Sequence, residues 1–155
     1  MAETHKHPDT DAEARELARQ DEAEGKSPTT QAGEFVREEM HHVREGKHGA
    51  RSTKQAIAIG LSKARRSGVE LPAPKTGSAK TRTAARRDTA KGKAGGSSKT
   101  SAKRSRATKK ALRREGRSAA SSQALSRQAR SAAKRRSSAA RSKAAKKGAR
   151  TRKRK

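Results

Sequence analysis

Residues 52–69 read STKQAIAIGLSKARRSGV, and whether they form a helix or a strand decides what this chain can build. Ser52 followed three positions on by Gln55 has the form of a capping box, in which side chains at a helix start satisfy amides that have no partner further along. Lys63, Arg65 and Arg66 fall in the last turn, where the helix dipole favours cations. Gly68 stands where a left-handed residue closes a helix, Val69 beyond it is placed to touch Ala64 as in a Schellman motif, and Pro72 prevents resumption. Ile57, Leu61 and Ala64 recur at i, i+4, i+7, although Ala56 to Leu61 also alternates like a short strand. The caps decide for a helix from Ser52 to Ser67.

Upstream, Gln31 to Glu45 carries Val36, Met40 and Val43 at the same spacing with Phe35 beside them, and Arg37, Glu38 and Glu39 on the opposite face. Gly46 closes that element, and a connection from Gly46 to Ala50 leads into the next. Two such helices, about 32–67, are expected to pack as a hairpin through Val36, Met40 and Val43 against Ile57, Leu61 and Ala64. At about 1.5 to 3 kcal/mol per fully buried large side chain, the pair is marginal alone. Thr10 with Glu13 fits a capping box for a short helix over residues 9–24. Its stripe of Ala12, Ala14, Leu17 and Ala18 is thin, which predicts a solvated segment that frays, ended by Gly25 and the Ser27-Pro28 pair.

Composition limits everything beyond this. Leu, Ile, Val and Phe number 11 of 155 residues, and most of the 28% counted hydrophobic is alanine. Alanine buries too little area to offset the entropy of ordering a chain, so a core of domain size is not expected. The charge is polarised: residues 1–50 hold 7 basic and 12 acidic side chains, residues 51–155 hold 35 and 3. The expected architecture is a mostly disordered chain with a small all-α element. It comprises an acidic flexible head (1–30), a small helical module (31–74), a Gly/Ser/Thr-rich basic linker read as coil (75–100), and an Ala/Lys/Arg-rich tail (101–155) that is disordered to partly helical.

A net charge of +27 attracts polyanions. Each Lys or Arg near a phosphate releases condensed counterions, a mechanism that needs no fixed geometry. The candidate phosphate-binding residues are Lys103, Arg104, Arg106, Lys109, Lys110, Arg113, Arg114 and Arg117, then Arg127, Arg130, Lys134, Arg135 and Arg136, then Arg141, Lys143, Lys146, Lys147, Arg150, Arg152, Lys153, Arg154 and Lys155. With no Asn, Trp or Tyr and one Phe, neither base readout nor stacking on single strands is supplied. Sequence-nonspecific binding and compaction of duplex DNA is therefore the expected function, with a nucleoid location in the cytoplasm. An RNA- or ribosome-associated accessory role for the same tail is the alternative. No membrane partner is expected, since an amphipathic membrane helix needs Trp, Phe or Leu along one face. Self-association or a protein partner is assigned to residues 32–72.

The run Glu39-Met40-His41-His42, then Gly46-Lys47-His48-Gly49, then Thr53 through Gly68 resembles a small bacterial family of unknown function. Its hallmark is a Met-His segment, a Lys-His-Gly turn, and Lys-Gln-Ala-Ile-Ala-Ile followed by Leu-Ser-x-Ala-Arg and a glycine. The likeness covers residues 39–72. It departs at His42 and Val43, where relatives often carry an acid and an aromatic residue. It implies a bacterial source and no activity. The tail is similar in composition to the arms of bacterial histone-like proteins and linker histones, without the proline of the latter.

Catalytic and cofactor chemistry find little material. Cysteine is absent, which removes disulfides, thiolate catalysis and cysteine zinc sites. His5, His7, His41, His42 and His48 invite a metal reading, but no acid-rich cage accompanies them in the sequence, so no metal site is expected. Gly25-Lys26-Ser27 resembles the end of a phosphate-binding loop, yet Gln20 stands where its first glycine belongs. Catalysis also requires groups held by a packed shell, so neither an enzyme nor a cofactor is expected. The N-terminus has no signal-peptide pattern and no 18-residue apolar run exists, which predicts a chain that stays where it is made.

Overall fold

The computed structural model describes residues 10–95 and 101–153, and the chain divides into two compact units, Met1–Ser121 and Ser122–Lys155. The first holds α1 (Asp11–Ala23), α2 (Pro28–Glu45), α3 (Thr53–Arg66), α4 (Ala79–Lys93), α5 (Ala102–Arg113) and a short 3-10 turn, Ser118–Ala120. The second holds α6 (Ser122–Lys134) and α7 (Ser138–Lys153). All elements among the described residues are helical. The expectation of a mostly disordered chain is overturned, and intrinsic disorder is not a property of this protein as described.

The caps read from the sequence form at three helix ends, completely at the start of α1 and the end of α3 and in part at the start of α3. Thr10 and Glu13 close a reciprocal capping box on α1, and the Ser52 hydroxyl accepts the Gln55 amide at α3. The Gln55 side chain reaches past Ser52 to accept the Arg51 amide at 2.9 Å. At the other end of α3, Val69 N–H donates to the Ala64 carbonyl and Gly68 N–H to that of Arg65, the paired bonds of a Schellman motif, with Gly68 at φ +100. Ser27 and Pro28, expected to end the first helix, start the second: Ser27 is the N-cap and Pro28 takes the first turn, where a missing N–H costs nothing.

The core is built from residues that composition had discounted. Ala14 and Ala18 of α1, Ala32 and Phe35 of α2, and Ala64, Val69 and Leu71 from α3 and its exit form one buried cluster, with Leu61 against it. α1 therefore docks instead of fraying. On α3 the buried row is Thr53, Ala56, Gly60 and Ala64, while Ile57 and Leu61 are only half-buried. The reason is the closeness of α2: a Cβ at Gly60 would stand 2.7 Å from the Val36 Cα and 2.9 Å from the Phe35 carbonyl. Small residues let two backbones meet, and the larger side chains are displaced to the flanks. Dispersion from close packing thus does what large apolar side chains do elsewhere.

The second correction concerns residues 75–100, read as coil for their glycines and low complexity. Ser78 caps α4 by accepting the Thr81 amide, and Ala85 is buried. Asp88 accepts the Ser62 hydroxyl at 2.6 Å and pairs with Arg66 at 3.3 Å, while Lys93 meets Glu70 at 3.1 Å. Gly92 lies directly on the Arg65 carbonyl of α3, where no side chain fits. That glycine marks close helix approach and not a break. Arg65 itself is 8% exposed and donates to the carbonyls of Leu71 and Pro72, pinning the extended exit of α3. Burial lowers its pKa, with Asp88 opposing.

Residues beyond 110 also join the head. Gly49 N–H donates to the Leu112 carbonyl and Ala50 N–H to that of Gly116. Arg44 Nε donates to the Ala120 carbonyl at 2.9 Å and the buried Thr53 hydroxyl to that of Ala119 at 2.6 Å. Ala119 and Ala120 are buried at this seam.

Candidate nucleic-acid interface and an acid-histidine cluster

The cations assigned to phosphate binding fall on three helices and the turns after them. Lys103, Arg104, Arg106, Lys109, Lys110 and Arg113 lie on α5, Arg114 is its C-cap, and Arg117 precedes the 3-10 turn. All eight are exposed. At about 100° per residue, Lys103, Arg106, Lys109, Lys110, Arg113 and Arg114 share an arc of roughly 140°, with Arg104 outside it. Arg106, Lys109, Lys110, Arg113 and Arg114 line one shallow concavity. Arg117 lies against Gly46, its Cδ 3.4 Å from where a Cβ there would stand.

In the second unit, Arg127, Arg130 and Lys134 follow i, i+3, i+7 spacing on α6 and share one face, opposite Leu125, Ala129 and Ala132. Arg135 and Arg136 follow in the turn, and Arg141, Lys143, Lys146, Lys147, Arg150, Arg152 and Lys153 are distributed around α7. All of these are exposed. Arg154 and Lys155 lie outside the described residues. Across residues 101–155 the sole acid is Glu115.

A second constellation sits at the junction of α1, α2 and α3, where sequence reasoning placed only a polar outer face. Glu38 and Glu39, adjacent on α2, have no exposed surface. Lys63 enters from α3 with Nζ 3.2 Å from Glu38 Oε2, 3.1 Å from Glu39 Oε2 and 3.0 Å from Asp11 Oδ1 of α1. One ammonium therefore ties three helices. Burial works against its charge, but Glu39, Asp11 and Glu38 outweigh it and push the Lys63 pKa up to about 12. Glu38 is pushed up to about 7, chiefly by burial, with Asp11 adding to the effect and Lys63 resisting it. Asp11 is raised by partial burial, but the Lys63 hydrogen bond and charge more than reverse this and hold it below its ordinary value.

Two histidines complete the cluster. His42, one turn after Glu38, has Nε2 3.4 Å from Glu38 Oε1. His48, in the connection to α3, has Nε2 3.4 Å from Glu39 Oε1, and its Nδ1 is 3.2 Å from the Gly49 carbonyl. The two rings stand edge to face with centroids 6.0 Å apart. One donor atom from each of Glu39, His42 and His48 lies within 4.8 Å of the others. No hydrogen bond reaches either carboxylate oxygen of Glu39. His41 turns elsewhere and meets Glu45 at 2.9 Å, while His5 and His7 are outside the described residues. The sequence did hold a signal: Glu39 and His42 stand at i, i+3 and so share a face, and only the connection carrying His48 had to fold back.

The loop Gly25-Lys26-Ser27 carries no open phosphate cradle. Its Lys26 ammonium is held by Asp21 at 2.6 Å and Glu24 at 2.7 Å, which together raise its pKa. No helix among the described residues is long and apolar enough to cross a membrane.

Residues 28–75 match the model of a family of unknown function, DUF6496. The matched segment, under a third of the chain, takes in α2, α3 and the pinned exit of α3, and encloses the acid-histidine cluster apart from Asp11. No curated protein and no solved structure matches the chain.

Proposed function

We propose that this protein binds duplex DNA through its phosphate backbone, without reading sequence, and compacts it as a nucleoid-associated protein. The observation that carries the reading is α5: six cations on one exposed arc, with no acid between residues 101 and 114. A helix already formed avoids the ordering cost that a disordered arm meets on binding. The major groove of B-form DNA, about 12 Å wide, admits a helix, and cations on one arc reach the phosphates of its walls. The clustered face of α6 and the cations around α7 supply further charge of the same kind. Base discrimination draws on Asn, Gln or bidentate Arg seated against base edges; α5 carries neither Asn nor Gln, and its arginines share their face with lysines in an arc suited to phosphate. Phosphate contact positions a protein but carries no sequence information.

Fluorescence anisotropy of the full chain on two unrelated duplexes of equal length, between 50 and 200 mM salt, tests the proposal. Equal affinities that fall steeply and in parallel are expected, with log K losing about 0.9 per log unit of salt for each phosphate neutralised. Absence of binding at 150 mM salt, or a strong preference for one duplex, overturns it. Tighter binding to a structured RNA than to either duplex transfers the role to RNA.

A further inference from the structure

We propose that Glu39, His42 and His48 form a binding site for one divalent transition-metal ion of the zinc class, independent of the nucleic-acid function. Three observations converge. The first is an incompletely satisfied buried group: Glu39 has no exposed surface, and although the Lys63 ammonium stands 3.1 Å from its Oε2, neither carboxylate oxygen receives a hydrogen bond. Burying an anion without hydrogen bonds is costly, and a metal ion is one of the few partners that repays it. The second is spacing. His48 Nε2 and Glu39 Oε1 are 3.4 Å apart, long for a hydrogen bond. It equals the edge of a tetrahedron whose arms are about 2.1 Å, the length of zinc bonds to imidazole and carboxylate. With the three donor atoms within 4.8 Å of one another, small side-chain rotations close the remaining edges. The third is charge. Asp11, Glu38 and Glu39 converge on the single ammonium of Lys63, an excess of acid over base that a divalent cation offsets.

The surroundings of the ligands fit the same reading. With the His48 Nδ1–H donating to the Gly49 carbonyl, Nε2 is left as the ligand atom and the ring is oriented, the outer-shell arrangement usual for metal-bound histidine. Two imidazoles and one carboxylate suit zinc, cobalt or nickel better than magnesium or calcium, which prefer all-oxygen sites. Three protein ligands leave a fourth position to water. A bound ion would clamp the end of α2 to the connection at 46–50, whose Gly49 and Ala50 amides donate to Leu112 in the last turn of α5 and to Gly116 just beyond it.

The test uses the full, untagged chain stripped with chelator. Titration with Co²⁺, followed by visible absorption, is expected to show one equivalent taken up with the intense bands of a four-coordinate ion and released by Zn²⁺. His48→Ala is expected to weaken uptake at least about tenfold, the lower range for disturbing a metal site, while the double variant His5→Ala/His7→Ala leaves it unchanged. A folded wild type that takes up no cobalt, or uptake that survives His48→Ala and vanishes with His5 and His7, overturns the site. Ring-nitrogen spectra of the wild type on adding Zn²⁺ decide the matter without any variant. Shifts at His42 and His48 support the site, and shifts confined to other histidines refute it.

Discussion

Glu38 places a carboxylate where three helices meet, and its pKa of about 7 makes the protonation of the metal-free fold depend on pH near neutrality. Between its ordinary value of 4.5 and about 7, folded Glu38 holds a proton that the unfolded chain has released, so stability falls as pH rises through that window. Asp11 acts in the opposite sense at lower pH: its depressed pKa adds stability above its ordinary 3.8 that is lost on acidification. Lys63, Asp11 and His42 all meet Glu38, so its titration is not independent of theirs. The informative quantity is therefore a difference between variants. Melting temperature in chelator is expected to fall between pH 5.5 and 8; Glu38→Gln should flatten that fall and should leave the variant more stable than wild type at pH 8 by on the order of 2 kcal/mol. Equal pH slopes in the two proteins would refute the assignment. This residue also marks where the sequence misled. Apolar periodicity on α2 placed Glu38 and Glu39 on an outer face, because the pattern says which face is greasy but not how many faces are covered. Once α1 docks against α2 and α3 covers the other side, the acids are enclosed, and Lys63 is the partner that makes the enclosure tolerable.

Among the elements, local signals were legible and packing was not. Thr10 with Glu13, Ser52 with Gln55, and Gly68 with Val69 are short-range chemistry, and α1 and α3 start or stop on them. The buried row on α3 was legible only in part. The sequence pointed to Ile57, Leu61 and Ala64; Ala64 is buried, but the approach permitted by Gly60 puts Ala56 in the row and leaves Ile57 and Leu61 half-buried. α4 was missed for a related reason. Its apolar content is negligible, and its hold on α3 depends on Asp88 reaching Ser62 and Arg66 and on Gly92 lying over the Arg65 carbonyl, all contacts between residues distant in sequence. Asp88→Ala leaves the Ser62 hydroxyl and the Arg66 guanidinium without this shared acceptor. A loss of about 1.5 to 3 kcal/mol is expected, the range for a hydrogen bond to a charged group. Since α4 is the element released, hydrogen exchange of the amides in 79–93 should speed up by roughly tenfold or more while those of α2 keep their protection. Uniform acceleration across α2 and α4 would mean that the acid supports the whole unit and not this docking.

For the molecule as a whole, charge is the property read most directly from the sequence, and the fold alters how it is deployed. The first fifty residues carry more acid than base, yet much of that acid is spent internally: Asp21 on Lys26, Glu34 on Arg37, and Asp11, Glu38 and Glu39 on Lys63. The cations of α5, α6 and α7 stay exposed. Replacing Lys103, Arg106, Lys109, Lys110, Arg113 and Arg114 together by Gln removes the arc on α5 and keeps side chains of good helix propensity. If all six touch phosphate, the slope of log K against log salt should become shallower by about 5, at about 0.9 per contact. A slope reduced by only one or two would place the main contact on α6 and α7. The same substitution removes repulsion between neighbouring cations one turn apart, so the free variant should melt no earlier than wild type. A variant that binds DNA poorly but melts normally would separate the phosphate contacts from the fold that presents them, whereas unchanged affinity and slope would remove α5 from the interface.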